Sequence, residues 1–120
     1  MDGTTNIEQL KELVKTFCEE RDWDQYHNAK DLAIGIITES SELLEHFRFK
    51  SGKEVEELFE QKRKKEEISE ELADILFFIL RLAEKYKIDL SQELQKKLEK
   101  NSEKYPIEKS KGLNKKYNEL

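Results

Sequence analysis

The sequence predicts an all-α protein, an antiparallel bundle of about four helices that is completed by oligomerisation. Apolar residues recur at helical spacing over long stretches, and only one Pro and four Gly interrupt the 120 residues. No stretch of useful length alternates apolar and polar residues as a half-buried strand does. Charged residues make up 41% of the chain and the hydrophobic class only 36%. Because this composition leaves one domain with a small core, we expect protomers to bury apolar faces against each other.

The first helix is expected to begin near Asn6, because Thr5 and Glu8 have the Thr-x-x-Glu spacing of a capping box. Its apolar pattern fades near Arg21. An irregular segment rich in Asp and aromatic residues follows, and Asn28 is the candidate cap of the second helix.

The second helix is expected to run to about Phe49, with Gly52 as a left-handed stop just beyond it. Residues 53–67 are dense in charge and carry one weak apolar stripe, which leaves a short helix or a mobile connector as alternatives. The third helix is expected over residues 68–86, where the apolar pattern is strongest.

Asp89 and Gln92 have the spacing of a cap for the fourth helix, which should end near Tyr105 because Pro106 follows. Residues 107–120 combine scattered apolar residues with many Lys, and we expect a tail that is loosely ordered or docked on a neighbour. The predicted organisation is therefore one domain over residues 1–106 and a tail over 107–120.

Charge and composition exclude several classes of protein. The net charge of −5 comes from 22 basic and 27 acidic residues, which argues against a nucleic-acid binder. The single Cys18 allows no internal disulfide and fits a reducing, cytoplasmic location. No apolar stretch is long enough to span a membrane, and the N-terminus does not have the form of a signal peptide.

Two pairs of carboxylates carry the strongest chemical signal. Glu39 and Glu42 form the first pair and Glu71 and Asp74 the second, and a spacing of three places both members on one helix face. Asp74 lies inside an apolar run over residues 72–80, where an ionised carboxylate is expected only if a cation meets it. Two such pairs facing each other would form an all-oxygen site suited to Mg²⁺ or Mn²⁺.

Alternatives to a magnesium site exist. Among 27 acids the Glu-x-x-Glu spacing also arises by chance, so a solvated face stays open for Glu39 and Glu42. Helical bundles with inward carboxylates also host di-iron centres, but those use Glu-x-x-His, and His46 lies four residues after Glu42. Mg²⁺ held by several acids usually serves a phosphate-bearing substrate.

The four acids and their surroundings resemble a known family, the all-α nucleoside triphosphate pyrophosphohydrolases of the MazG-like group. The resemblance is strongest to the dCTP pyrophosphatase branch and covers about residues 21–106. It is carried by the segments RDWDQYH (21–27), ESSELLEHFRFK (39–50), EELADILFFILRLAEKY (70–86) and KLEKNSEKYP (97–106).

This resemblance implies Mg²⁺-dependent hydrolysis of a nucleoside or deoxynucleoside triphosphate, dCTP-like favoured, to the monophosphate and pyrophosphate. It implies that the four acids hold the metal, and Glu42 is the candidate for activating water. The substrate-binding positions it implies are Trp23, His27, Lys30, Lys97, Asn101, Lys104 and Tyr105.

Two departures from the branch leave the preferred base open. Phe49 stands where the branch often has Trp, and Lys104 stands where it often has Arg. Lys keeps the positive charge but lacks the guanidinium group that can make two parallel hydrogen bonds. A related hydrolase for dUTP or a modified nucleotide is the nearest rival. The rival of another class is a non-enzymatic helical interaction module, in which Asp74→Leu would stabilise the chain; in an enzyme it would abolish turnover.

Overall fold

The computed structural model describes residues 1–120 and is helical throughout, with no strand. Four helices of fourteen residues or more match the four that were predicted, and two shorter helices and two 3₁₀ turns complete the chain. The all-α class is therefore confirmed. The helices are α1 Ile7–Glu20, α2 Ala29–Glu45, α3 Gly52–Leu58, α4 Lys62–Lys85, α5 Leu90–Lys104 and α6 Ile107–Ser110, with 3₁₀ turns at Asp24–Tyr26 and Tyr117–Glu119.

Local capping explains where the long helices begin. The predicted caps Asn28 and Asp89 are confirmed, since each side chain accepts a hydrogen bond from the backbone N–H three residues later. At α1 the prediction was wrong by one residue. The capping box consists of Asn6 and Gln9, whose side chains each accept from the other's backbone N–H at 2.8 and 2.9 Å, and Thr5 takes no part in it.

The corner after α2 also differs from the prediction. Helix α2 ends at Glu45, and the left-handed residue is Phe49, with φ of 63°. Gly52 is not a helix stop but the first residue of α3, because Ser51 forms a capping box with Glu54. The N-terminal cap of α3 therefore lies where the sequence was expected to contain only the end of α2.

Helix α4 begins at Lys62, six residues before the predicted start at Ile68. The preceding charge-dense segment is therefore α3 followed by the first turns of α4, not a mobile connector. Arg63 and Lys64 each lie 3.2 Å from a carboxylate oxygen of Glu67, so charge pairs one helical turn apart support this polar end.

Helices α2 and α4 pack antiparallel against each other, and α1 packs on α4. The backbone N–H of Ala29, at the start of α2, donates to the Tyr86 hydroxyl just beyond the end of α4. His46, just beyond the end of α2, lies beside Glu71 in the first half of α4. The buried apolar residues are Cys18, Leu32, Leu58, Ile68, Leu80 and Ala83.

The chain divides into two compact units, Met1–Lys87 and Ile88–Leu120. The second unit holds α5 and α6, and within it the Tyr105 and Tyr117 rings meet edge to face at 6.2 Å. The predicted division at residue 106, and docking of the tail on a neighbour, stay predictions. None of the helices is long and apolar enough to cross a membrane.

Gly35 allows α2 and α4 to approach closely. A Cβ on Gly35 would lie only 2.6 Å from two carbon atoms of the Phe78 ring. Gly35→Ala should therefore lower the melting temperature by several degrees, because overpacking costs about 1–3 kcal/mol and the gain in helix propensity is at most about 1 kcal/mol. Thermal denaturation followed by circular dichroism measures this. Adding Phe78→Leu should recover part of the loss, and an unchanged melting temperature for Gly35→Ala would contradict the close contact.

Candidate active site

Three of the four predicted metal-binding acids come together between α2 and α4. Glu39, Glu42 and Glu71 each offer one carboxylate oxygen, and these three oxygens all lie within 4.8 Å of one another. Glu39 and Glu71 are partly buried, whereas Glu42 is exposed. We call these three residues the acid cluster. Antiparallel packing of α2 and α4 brings Glu39 and Glu42, the first pair, close to Glu71 of the second pair.

Asp74 lies outside the acid cluster and is exposed, which corrects the expectation that it is buried. The apolar run around it does not form an all-round buried surface in this chain, since Leu72 and Leu76 are themselves 54% and 40% exposed. Asp74 is nevertheless near enough to the acid cluster for its negative charge to add to the rise in the pKa of Glu39 and Glu71, which burial causes first. Its role as a metal ligand stays a prediction.

The acid cluster contains two oxygens without a partner. Glu39 Oε2 and Glu71 Oε2 are buried and accept no hydrogen bond. A buried carboxylate oxygen without a donor or a cation is unfavourable, because it has lost its contacts with water and has no other partner. The basic group that faces the acid cluster is His46, whose Nε2 lies 3.7 Å from Glu71 Oε1. The donor set therefore fits a hard divalent cation, which takes oxygen ligands.

The proximity of the acids shifts their proton affinities. The pKa of Glu39 is raised to about 7, first by burial, then by the hydrogen bond and charge of Glu42 and by the charges of Asp74 and Glu71. The pKa of Glu71 is also raised, first by burial and then by the charge of Glu42, while His46 opposes the shift. Carboxylates this close cannot all be ionised without a counter-charge.

The predicted N-terminal binding residues lie on both sides of the short 3₁₀ turn. The Trp23 ring meets the rings of Phe17 and His27 edge to face, at 5.6 and 6.3 Å. Trp23 is 39% exposed, which leaves part of its ring free to stack on a ligand. Lys30 is exposed in the first turn of α2.

Sequence reasoning missed Arg81, which holds this turn against α4. Arg81 is 2% exposed, and its three guanidinium nitrogens donate to three different residues. Nε donates to His27 Nδ1 at 3.0 Å, Nη2 to Asp24 Oδ1 at 2.8 Å, and Nη1 to Glu84 Oε2 at 2.6 Å. Lys85 adds a second cation 3.1 Å from Asp24 Oδ1. The position of Arg81 in an apolar stretch of the sequence could have indicated this role. A buried basic residue needs partners of opposite charge for the same reason that a buried acid does.

Helix α4 links the acid cluster to this arginine. Glu71, Asp74, Phe78 and Arg81 follow one another at spacings of three and four residues and so share one helix face. Ten residues separate the first from the last, a rise of about 15 Å. Carboxylates thus occupy one end of this face, and His27 and its neighbours occupy the other.

The predicted C-terminal binding residues belong to the second unit. Lys97, Asn101 and Lys104 recur at spacings of four and three along α5, and Tyr105 is its C-terminal cap. Asn101 is partly buried and the other three are exposed. The Lys104 Nζ lies 4.8 Å from the centroid of the Tyr117 ring. The binding roles of these residues stay predictions.

Comparison with known proteins identifies the class. The MazG-like family matches residues 34–120, and the chain belongs to that family. It is 32% identical over 114 residues to dCTP pyrophosphatase 1 of Rattus norvegicus, a match that covers 95% of this chain and 67% of the relative. The same protein of Bos taurus is 33% identical, with 95% and 68% covered. A pyrophosphatase from Archaeoglobus fulgidus superposes with a TM-score of 0.78 at 39% identity, over 83% of this chain and 92% of that one.

Proposed function

We propose that this protein hydrolyses a nucleoside or deoxynucleoside triphosphate, with dCTP-like substrates favoured, to the monophosphate and pyrophosphate, in a reaction that depends on Mg²⁺. The coarser statement, that the chain is a nucleoside triphosphate pyrophosphohydrolase, is confirmed by its family and its relatives. A non-enzymatic interaction module is therefore no longer a competing hypothesis for the function.

The convergence of three carboxylates with two unpartnered buried oxygens is the observation that supports the metal dependence most directly. Glu39, Glu42 and Glu71, with Asp74 beside them, would hold Mg²⁺ or Mn²⁺. A divalent cation bound there would offset the charge of the substrate phosphates and the charge that develops on the attacked phosphorus. Glu42 is the exposed member of the acid cluster, and we assign to it the orientation of the attacking water.

The remaining predicted residues would bind the rest of the nucleotide. Trp23 offers a partly exposed ring for stacking on a base, and His27 and Lys30 lie on either side of the start of α2. We also propose substrate-binding roles for Lys97, Asn101, Lys104 and Tyr105. We place the activity in the cytoplasm, where hydrolysis would clear a nucleotide from the precursor pool.

A turnover screen tests the substrate assignment. The four standard deoxynucleoside triphosphates, dUTP and base-modified cytosine nucleotides are each incubated with protein and Mg²⁺, and pyrophosphate release is measured. We expect dCTP or a modified cytosine nucleotide to have the highest kcat/KM. A preference for dUTP would show that the assigned base is wrong. If no pyrophosphate is released from any of these nucleotides with Mg²⁺ or Mn²⁺, the proposal is overturned.

Metal binding should depend on pH because Glu39 holds its proton up to about pH 7. The folded-state pKa is above the ordinary value of 4.5. Without metal, the stability that Glu39 contributes is therefore fully present below about pH 4.5, and it is lost as the pH rises through about 7. Millimolar Mg²⁺ should then raise the melting temperature more at about pH 8 than at about pH 5.5, where protons compete for the site.

Differential scanning fluorimetry at both pH values, with and without Mg²⁺, measures this effect. In the control variant Glu39→Gln, the decline of metal-free stability between these pH values should be smaller. An equal shift by Mg²⁺ at the two pH values, or no shift at either, would count against metal binding by the acid cluster.

A further inference from the structure

The contact between Arg81 and His27 defines which nitrogen of the imidazole carries a proton. Arg81 Nε donates to His27 Nδ1 at 3.0 Å, and a guanidinium nitrogen has no lone pair with which to accept in return. The Nδ1 atom must therefore present its own lone pair. A neutral His27 then carries its proton on Nε2.

The surroundings keep the guanidinium in this orientation. Glu84 and Asp24 each accept from a different terminal nitrogen of Arg81, so rotation of the buried side chain would break two charge-assisted hydrogen bonds. The charged groups around His27 are Arg81 and Lys85 on α4 and Asp24 on the 3₁₀ turn. Burial first, and then the two cations, lower the pKa of His27, while only Asp24 opposes them.

The other nitrogen of His27 has no acceptor within this chain. No hydrogen bond joins Nε2 to another residue, although the ring is partly buried and its edge-to-face contact with Trp23 helps to fix its plane. A polarised N–H without a partner, beside a partly exposed aromatic ring, is suited to an acceptor atom on a ligand.

We propose that Arg81 is a positioning residue that holds His27 as the neutral Nε2–H tautomer, so that His27 donates a hydrogen bond to an acceptor atom of the bound nucleotide. The acceptor would be a base carbonyl or ring nitrogen, or a sugar or phosphate oxygen. The donor role rests on the proposed function, whereas the tautomer does not. A cationic His27 cannot keep the Arg81 contact, since both of its nitrogens would donate.

Long-range ¹H–¹⁵N NMR of the full chain, labelled with ¹⁵N-histidine, tests the tautomer directly. The sequence contains only two His, so His27→Gln assigns the signals. We expect Nε2 protonated and Nδ1 unprotonated at neutral pH, with His27 remaining neutral below its ordinary pKa of 6.5. Arg81→Met should mix the two tautomers and raise the pKa of His27. A protonated Nδ1 in the wild-type protein would overturn the proposal, and this result needs no variant that might fail to fold.

Kinetics on the same variants test the donor. Arg81→Met should raise KM for the preferred nucleotide about tenfold with a smaller effect on kcat, as expected for one lost hydrogen bond in binding. His27→Gln, whose amide keeps an N–H donor, should raise KM less than His27→Phe. Equal losses for these two variants would overturn the donor role. Absence of all turnover, with the Nε2–H tautomer intact, would instead overturn the proposed function and with it the donor role.

Discussion

Replacing an acid of the cluster should remove nearly all turnover and leave the fold intact. We expect Glu39→Gln, Glu42→Gln and Glu71→Gln each to lower kcat by about 10²–10³, the range typical for loss of one group that stabilises the transition state. The same holds for Asp74→Asn if Asp74 also binds the metal. Measurement of kcat at saturating Mg²⁺ and substrate, with circular dichroism to establish helix content, decides this.

The same substitutions should stabilise the protein when metal is absent. Burial and mutual repulsion raise the pKa of Glu39 to about 7 and also raise the pKa of Glu71. A neutral amide at either position therefore removes a charge that is unfavourable in the folded chain once the carboxyl is ionised. Glu70→Gln is the matched control, because Glu70 is an exposed neighbour of Glu71 on α4 outside the acid cluster. This control should leave turnover close to that of the wild type. Near-full activity of Glu71→Gln would show that the ligand assignment is wrong.

Charging the apolar surface of α2 and α4 should dissociate the protein into single chains. We define this surface by Ile34, Ile37 and Leu44 on α2 and Leu72 and Leu76 on α4, which are 51%, 69%, 59%, 54% and 40% exposed. Single exposed apolar residues are ordinary, but several on each of the two central helices are typical of an interface. The proposal is that a second protomer covers it, most simply through a two-fold axis, as a dimer or a dimer of dimers.

Static light scattering at low micromolar protein gives the mass. We expect an oligomer for the wild type and a single chain for Ile37→Asp combined with Leu72→Asp. Leu13→Asp, which places the same charge on an exposed apolar position of α1, is the control and should leave the mass unchanged. A single-chain mass for the wild type would overturn the assembly.

Mixing two variants tests whether one active site uses residues of two chains. Under the proposal Asp74→Ala subunits are inactive alone and His27→Ala subunits turn over slowly when the nucleotide concentration is below their raised KM. At such a concentration, a shared site predicts that mixing the two variants restores activity. In one chain α4 carries both Glu71 and Arg81, the partner of His27, about 15 Å apart along its axis. An oligomer whose mixed subunits recover no activity would mean that each site belongs to one chain.

Local sequence signals predicted most of the helices and part of the site. Asn28 and Asp89 were identifiable as caps because their partners lie three residues away. The convergence of the acid cluster followed from a spacing of three on two apolar helices that were expected to pack. The capping box of Ser51 was missed because Gly52 beside it resembles a helix stop, and the two alternatives differ only in backbone geometry.

Long-range features were not accessible in this way. The apolar run around Asp74 indicated burial, but it could not show which side of α4 faces the rest of the chain and which would need a second protomer. Arg81 was missed for a related reason, since His27 and Asp24 lie 54 and 57 residues away from it in the sequence. The close approach of Gly35 and Phe78 likewise depends on the register of α2 and α4.

Hydrolysis of the preferred nucleotide in ¹⁸O-labelled water tests the central claim most directly. Attack of water at the α-phosphorus places the label in the nucleoside monophosphate and releases unlabelled pyrophosphate, which mass spectrometry of the products distinguishes. We expect this result, with the reaction abolished when Mg²⁺ is chelated and restored when it is returned. Label appearing only in inorganic phosphate would show cleavage at the γ-phosphorus and would contradict pyrophosphohydrolysis by this site.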